Sequence, residues 1–111
     1  MKIKTQDYNE VVLAELQGEL DSESVEIFQN TISDIVSKNK KGIVLDMGGV
    51  GFVDSQGLEK LLWARDYCHE NKCQMRLARL DENCSKILEI TRLASEFDRY
   101  AELAEAVKSF A

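Results

Sequence analysis

The sequence predicts a single α/β domain, with about four helices packed on a mixed sheet of four to five strands. The length of 111 residues suits one domain, and an apolar fraction of 44% is enough for one hydrophobic core. Short β-branched runs alternate with segments of helical periodicity, in the order β-β-α-β-α-β-α-α. The sequence contains no proline, and no repeat or low-complexity segment marks a linker.

The chain begins with a predicted β-hairpin. Residues 2–6 and 11–17 are rich in strand-forming residues, and residues 7–10 between them favour a turn. A helix is predicted over residues 22–39, because its apolar residues recur at spacings of three and four. Asp21 directly precedes this segment and is a suitable N-cap.

Two more β-α units follow the first helix. Residues 43–45 are apolar and mostly β-branched, which predicts a central parallel strand that is buried on both faces. The glycine-rich segment 47–53 is expected to form a loop, and a second helix is predicted over residues 56–72. The remaining predicted elements are a strand over 75–78, a helix over 82–92 capped by Asp81, and a helix over 101–110.

The charge pattern argues against a nucleic-acid-binding or membrane-inserted protein. The formal net charge is −6, and the only basic run, residues 38–41, ends a predicted helix, where positive charge is favourable. No apolar stretch reaches the roughly 20 residues of a membrane span, and the amino terminus is too polar for a signal peptide. We therefore expect a cytoplasmic protein that neither binds nucleic acid directly nor inserts into a membrane.

The three cysteines do not form a metal-binding pattern. Cys68, Cys73 and Cys84 are spaced unlike zinc ligands, and the only histidine is His69. Reduced thiols are expected in the cytoplasm, and we interpret these cysteines as buried apolar residues. We predict neither a metal site nor a cofactor.

Ser55 lies where a strand-like apolar run becomes a helix. A catalytic serine needs a base within hydrogen-bonding reach, but His69 is about 21 Å farther along the same predicted helix. The segment also lacks the G-x-S-x-G pattern of a nucleophile elbow. No enzyme activity is expected at Ser55, and either Asp54 or Ser55 is suited to cap the helix.

Two features of the sequence are also typical of ligand-binding sites. The glycines of residues 48–51 precede a helix, but the Gly-Lys-Ser/Thr and dinucleotide signatures are absent. Asp21, Asp46 and Asp54 each lie near a strand-to-helix connection, as in magnesium-binding receiver domains, but the acid pair expected after the first strand is missing. A small-ligand or nucleotide-binding protein therefore remains an alternative.

Four stretches of the sequence, taken together, carry a family resemblance. They are GELD at 18–21, IVLDM at 43–47, VGFVDSQGL at 50–58, and ILEITRL at 87–93, which is followed by Phe97. In this order they resemble the STAS domain family, which includes the bacterial anti-anti-sigma factors (anti-sigma factor antagonists). The resemblance covers nearly the whole chain and implies one STAS-like domain over residues 1–111.

The resemblance implies that Ser55 is a phosphoacceptor in a partner-switching pathway. In that family a serine kinase, which is also the anti-sigma factor, phosphorylates the matching serine, and a PP2C-type phosphatase removes the phosphate. The unphosphorylated form binds the kinase and frees a sigma factor. Gln56 departs from the motif, where small residues are commoner, so the identity of the partner is open. The chain would then be a non-catalytic regulatory protein, and we expect a monomer.

A partner-binding surface is expected around Ser55. Trp63 and Tyr67 lie on a flank of the predicted helix, where Trp63 either anchors a partner or closes the edge of the core. The alternative within the family is a STAS regulatory subunit of an ATPase-driven transport complex. The residues expected to bind the partner are Asp21, Asp54, Ser55, Gln56, Gly57 and Trp63.

Overall fold

The computed structural model describes residues 1–110 and shows a five-stranded mixed sheet in the order β1-β2-β3-β4-β5. β1 pairs antiparallel with β2, and every later strand is parallel to its neighbour. The strands are β1 (Lys2–Tyr8), β2 (Val11–Gln17), β3 (Gly42–Gly49), β4 (Gln74–Ala78) and β5 (Asp98–Tyr100).

The helices cover both faces of the sheet unequally. α1, α2 and α3 each connect consecutive parallel strands, and right-handed crossovers between such strands place all three on the same face. α4 packs on the opposite face, against β2, β3 and β4. The helices are α1 (Val25–Ser37), α2 (Ser55–Glu70), α3 (Glu82–Ile90) and α4 (Leu103–Lys108), with a 3₁₀ turn at Ala94–Glu96.

The core lies on both sides of β3. Ile43 and Leu45 point into the larger cluster under α1, α2 and α3, whereas Val44 points into the smaller cluster under α4. All three side chains are fully buried. The predicted central strand that is buried on both faces is therefore confirmed.

The predicted α/β class and element order are confirmed, and the structure adds a fifth strand. β5 has three residues and pairs in parallel with β4, with Arg76 opposite Asp98. β3 extends to Gly49, so the predicted loop at 47–53 begins later than expected. Among the helices of residues 1–110, none has the length and hydrophobicity needed to cross a membrane.

The start of α1 differs from the prediction. The helix begins at Val25 with Ser24 as its N-cap residue, not at residue 22 after Asp21. The amides of Ser24 and Val25 both donate to the Asp21 carbonyl, at 3.0 and 3.1 Å, so a separate turn precedes the helix. The Asp21 carboxylate accepts a hydrogen bond from the Glu23 amide (3.0 Å) and stabilises this turn instead.

Candidate functional site

The carboxylate of Asp54 fixes the start of α2. Asp54 is the N-cap residue, with an extended backbone, and its Oδ1 accepts a hydrogen bond from the Gly57 amide at 2.8 Å. Its Oδ2 accepts a second hydrogen bond from the Ser22 amide at 3.3 Å. One side chain therefore caps α2 and also connects it to the turn before α1.

A short parallel pairing brings these two segments together. Leu20 and Val53 form an isolated β-bridge. The Leu20 amide donates to the Phe52 carbonyl (3.0 Å), and the Asp54 amide donates to the Leu20 carbonyl (3.2 Å). Gly57 is buried against this bridge, and a Cβ at that position would overlap the Leu20 carbonyl oxygen. The absence of a side chain at Gly57 is what allows the first turn of α2 to lie so close.

Ser55 is the first residue of α2 and is exposed. Its hydroxyl makes no hydrogen bond to another residue of the described chain, and neighbouring Gln56 is also exposed. The positive end of the helix dipole lies at this position, where negative charge is stabilised. The serine is therefore accessible on a fixed backbone, and the helix start favours an added phosphate.

The surroundings of Ser55 are acidic. The turn before α1 carries Glu19, Asp21 and Glu23, and it is held next to α2 through the Ser22–Asp54 hydrogen bond. Lys60 lies one turn further along α2. Its ammonium group donates a hydrogen bond to Gln29 of α1 and lies 5.2 Å from the Trp63 ring centre. The charged residue next to Ser55 in the chain is thus also an acid, Asp54.

Trp63 lies about 12 Å from Ser55 along the helix axis, at eight residues' distance. It is partly buried against the main core and stacks on Tyr67, with ring centres 4.9 Å apart. Trp63 therefore forms a separate, partly exposed flank. The other residues expected to bind the partner lie together: Asp21, Asp54, Ser55, Gln56 and Gly57.

The sequence prediction did not single out Phe52, which lies two residues before Asp54 and is 44% exposed. An aromatic residue beside a glycine in a loop is a signal that could have identified it.

The carboxylates that suggested a cation site do not converge. Asp46 is buried on the α4 side of the sheet, where its Oδ1 accepts hydrogen bonds from Arg79 Nε (2.9 Å) and the Gly48 amide (3.0 Å). This carboxylate raises the pKa of Arg79. Asp54 instead caps α2 on the other side, and residues 1–110 contain no group of three or more side chains suited to hold a metal ion. His69 lies in the last turn of α2, at the opposite end from Ser55.

Because Asp54 caps α2, removing its carboxylate should reduce the stability of the protein. We expect Asp54→Ala to lower the free energy of unfolding by about 1–2 kcal/mol, because both amide donors lose their acceptor. Asp54→Asn keeps an acceptor oxygen and is the matched control, with a smaller expected loss. Urea denaturation of the three proteins measures this. Equal stability of Asp54→Ala and the wild type would show that the cap is not structural.

Comparisons with known proteins agree with this geometry. The family model of the STAS domain matches residues 2–106. The chain is 25% identical over 97 residues to BtrV of Bordetella bronchiseptica, a protein assigned as an anti-sigma factor antagonist, covering 87% of this chain and 84% of that protein. The unphosphorylated anti-sigma factor antagonist SpoIIAA superposes with a TM-score of 0.81 at 20% identity, covering 98% of this chain and 96% of that one.

A second structure of that protein shows the same similarity. Phosphorylated SpoIIAA, described as a Bacillus cell fate determinant, superposes with a TM-score of 0.74 at 20% identity, covering 99% of this chain and all of that one. At this level of identity the two superpositions show a shared fold. The family model extends over nearly the whole chain, and the resemblance seen in its motifs is confirmed: the chain belongs to the STAS domain family.

Proposed function

We propose that this protein is an anti-sigma factor antagonist and that phosphorylation of Ser55 releases its partner. The observation that carries the proposal is the exposed, unbonded hydroxyl of Ser55 at a helix start that Asp54 holds in place. The protein acts by binding, with no catalytic group of its own. Its proposed partners are a serine kinase that is also the anti-sigma factor, and a PP2C-type phosphatase.

Phosphorylation of Ser55 would alter the surface more than the fold. A phosphate adds about −1.5 to −2 charges at neutral pH, and the amino terminus of α2 favours that charge. The phosphate is attached through the Ser55 hydroxyl oxygen, which makes no hydrogen bond to the described residues, so no such bond is lost. A partner surface fitted to a neutral hydroxyl, however, would have to bury a dianion among the neighbouring carboxylates.

The names of similar proteins support this proposal. BtrV and SpoIIAA are both described as anti-sigma factor antagonists, and SpoIIAA has been solved in unphosphorylated and phosphorylated forms. Ser55 follows the capping aspartate within the matched family region. Gln56 is exposed directly beside it, so Gln56 is the residue that we expect to influence the choice of partner.

The test is to capture partners from a lysate of the source organism. Wild-type protein and Ser55→Glu serve as baits, with Ser95→Glu as control, because it adds the same charge at an exposed serine on the 3₁₀ turn. We expect an ATP-binding serine kinase on the wild-type and Ser95→Glu baits but not on Ser55→Glu. A set of partners that is indifferent to Ser55, such as a transport ATPase, would contradict the proposal.

Trp63 is expected to contribute to the same interface. Trp63→Ala should weaken binding of the captured kinase while helix α2 stays formed, because the side chain is only partly buried. Trp63→Phe keeps an aromatic ring to stack on Tyr67 and is the matched control. Circular dichroism and a binding isotherm together decide the question. A loss of helicity in Trp63→Ala would instead assign this residue to the core.

A further inference from the structure

Helix α2 ends in a hydrogen-bonding pattern that places two cysteines side by side. The Cys73 amide donates to the Cys68 carbonyl at 2.8 Å, and the Lys72 amide donates to the His69 carbonyl at 3.1 Å. Lys72 has a φ of 60°, in the left-handed region. These features define a Schellman motif, in which the side chains at the positions of Cys68 and Cys73 characteristically make contact.

The two thiols are buried together in the core. Cys68 is 0% exposed and Cys73 is 1% exposed, and both belong to the cluster under α1, α2 and α3. The neighbouring Cys73 thiol and burial both raise the pKa of the Cys68 thiol, and the neighbouring Cys68 thiol lowers the pKa of Cys73. One thiol of the pair therefore stabilises the thiolate of the other.

The third cysteine has a different environment. Cys84 lies in the first turn of α3, and its thiol donates to the Val50 carbonyl at 3.2 Å. Burial raises the pKa of Cys84 to about 12. Cys84 therefore has no neighbouring thiol that would stabilise its thiolate. It serves as an internal control for the reactivity of the Cys68–Cys73 pair.

Cys73 lies beside a surface groove. It contributes to the wall of an open groove of about 480 Å³ at the carboxyl end of α2. Because Cys73 is 1% exposed, a small oxidant in this groove reaches the sulfur when the helix end opens locally, which costs less than opening the core. The other residues of the groove are Arg65, Asp66, His69, Gln74, Met75 and Asp98.

We propose that Cys68 and Cys73 form a reversible intramolecular disulfide when the protein meets a hydroperoxide. The Cys73 thiolate attacks the peroxide, the O–O bond breaks, and the products are a Cys73 sulfenic acid and hydroxide or alkoxide. The Cys68 sulfur then attacks the Cys73 sulfur, the S–O bond breaks, and hydroxide leaves as water with the Cys68 proton. The two thiols supply the two electrons that reduce the peroxide.

The backbone already suits the product. A disulfide requires Cα atoms within about 7 Å of one another, and the hydrogen bond between Cys73 and Cys68 closes a single turn of chain around them. A low-molecular-weight thiol reverses the reaction by exchange. Because α2 also carries Ser55 at its other end, this site would lie outside the proposed phosphorylation surface.

Peptide mapping after hydrogen peroxide treatment tests the proposal. The folded protein is oxidised, its free thiols are blocked, and it is digested with trypsin without reduction. We expect residues 66–72 and 73–76 to be recovered as one disulfide-linked pair, with Cys84 carrying the blocking group. Intact mass measured before blocking should be lower by two hydrogen atoms, and dithiothreitol should restore it.

Two controls make the result decisive. The same chain, unfolded in urea and oxidised in parallel, shows how the three thiols react without the fold. Cys84→Ser should keep the linked pair, whereas Cys68→Ser and Cys73→Ser should lose it. Cys84 oxidised as fast as Cys73, disulfides between molecules, or no linkage under conditions that oxidise the unfolded chain would each overturn the proposal.

Discussion

Ser55→Glu is expected to lower the affinity for the partner kinase by roughly a hundredfold, with the melting temperature unchanged. The added carboxylate directly follows Asp54, which the acidic turn before α1 contacts through the Ser22 amide, and burying it against a partner costs about 3 kcal/mol or more. Ser55→Ala removes only an unbonded hydroxyl and should bind as the wild type does. A binding isotherm for each protein on the purified kinase measures the difference.

Controls separate this effect from a change in overall charge. Ser95→Glu carries the same net charge as Ser55→Glu, at an exposed site on the 3₁₀ turn. We expect it to bind the kinase within about twofold of the wild type, because it adds no charge at the start of α2 and a solvent-exposed charge is screened. Equal affinities for Ser55→Ala and Ser55→Glu would contradict the switch. Ser55 would then serve only as the first residue of a helix.

Gly57→Ala is expected to destabilise the protein by about 1–3 kcal/mol, a large effect for one methyl group. The new Cβ would overlap the Leu20 carbonyl oxygen and approach Val53. Since Leu20 and Val53 form the bridge that holds the two segments together, neither can move without breaking backbone hydrogen bonds. A thermal melt should show a melting temperature lower by several degrees, since each kcal/mol corresponds to about 4–8 °C for a domain of this size.

Gly51→Ala provides the matched control. Gly51 lies in the loop that precedes α2, and a Cβ built there meets no atom of the described chain within 4 Å. The substitution should change stability by no more than about 0.5 kcal/mol. If Gly57→Ala and Gly51→Ala have the same melting temperature, the close approach of α2 to Leu20 does not constrain the fold.

Much of the fold could be predicted because its signals are local. Residues 43–45 are apolar and mostly β-branched, so the sequence predicts the central strand. Asp81 caps α3 as expected and accepts a hydrogen bond from the Cys84 amide at 2.8 Å. β5 was not placed, because three residues with two charges carry no apolar pattern, and only pairing with β4 defines them. The start of α1 was misplaced because Asp21 stabilises a turn that resembles a helix start in sequence.

The candidate site divides in the same way. The motif around Ser55 and the capping role of Asp54 follow from adjacent residues. The hydrogen bond from the Ser22 amide to Asp54 joins residues 32 positions apart, so it depends on the tertiary fold. The same holds for the burial of Gly57 beneath Leu20. Helical spacing placed Trp63 on a flank, but its stacking on Tyr67 and its partial burial required the structure.

The most direct test of the central claim compares one protein in two chemical states. The captured kinase and ATP are used to phosphorylate the wild-type protein, mass spectrometry locates the phosphate, and titration calorimetry measures the affinity of each form for the kinase. We predict phosphate on Ser55 alone, affinity reduced by roughly a hundredfold, and full recovery after treatment with a PP2C-type phosphatase. Phosphate at another residue, or equal affinity of the two forms, would contradict the account.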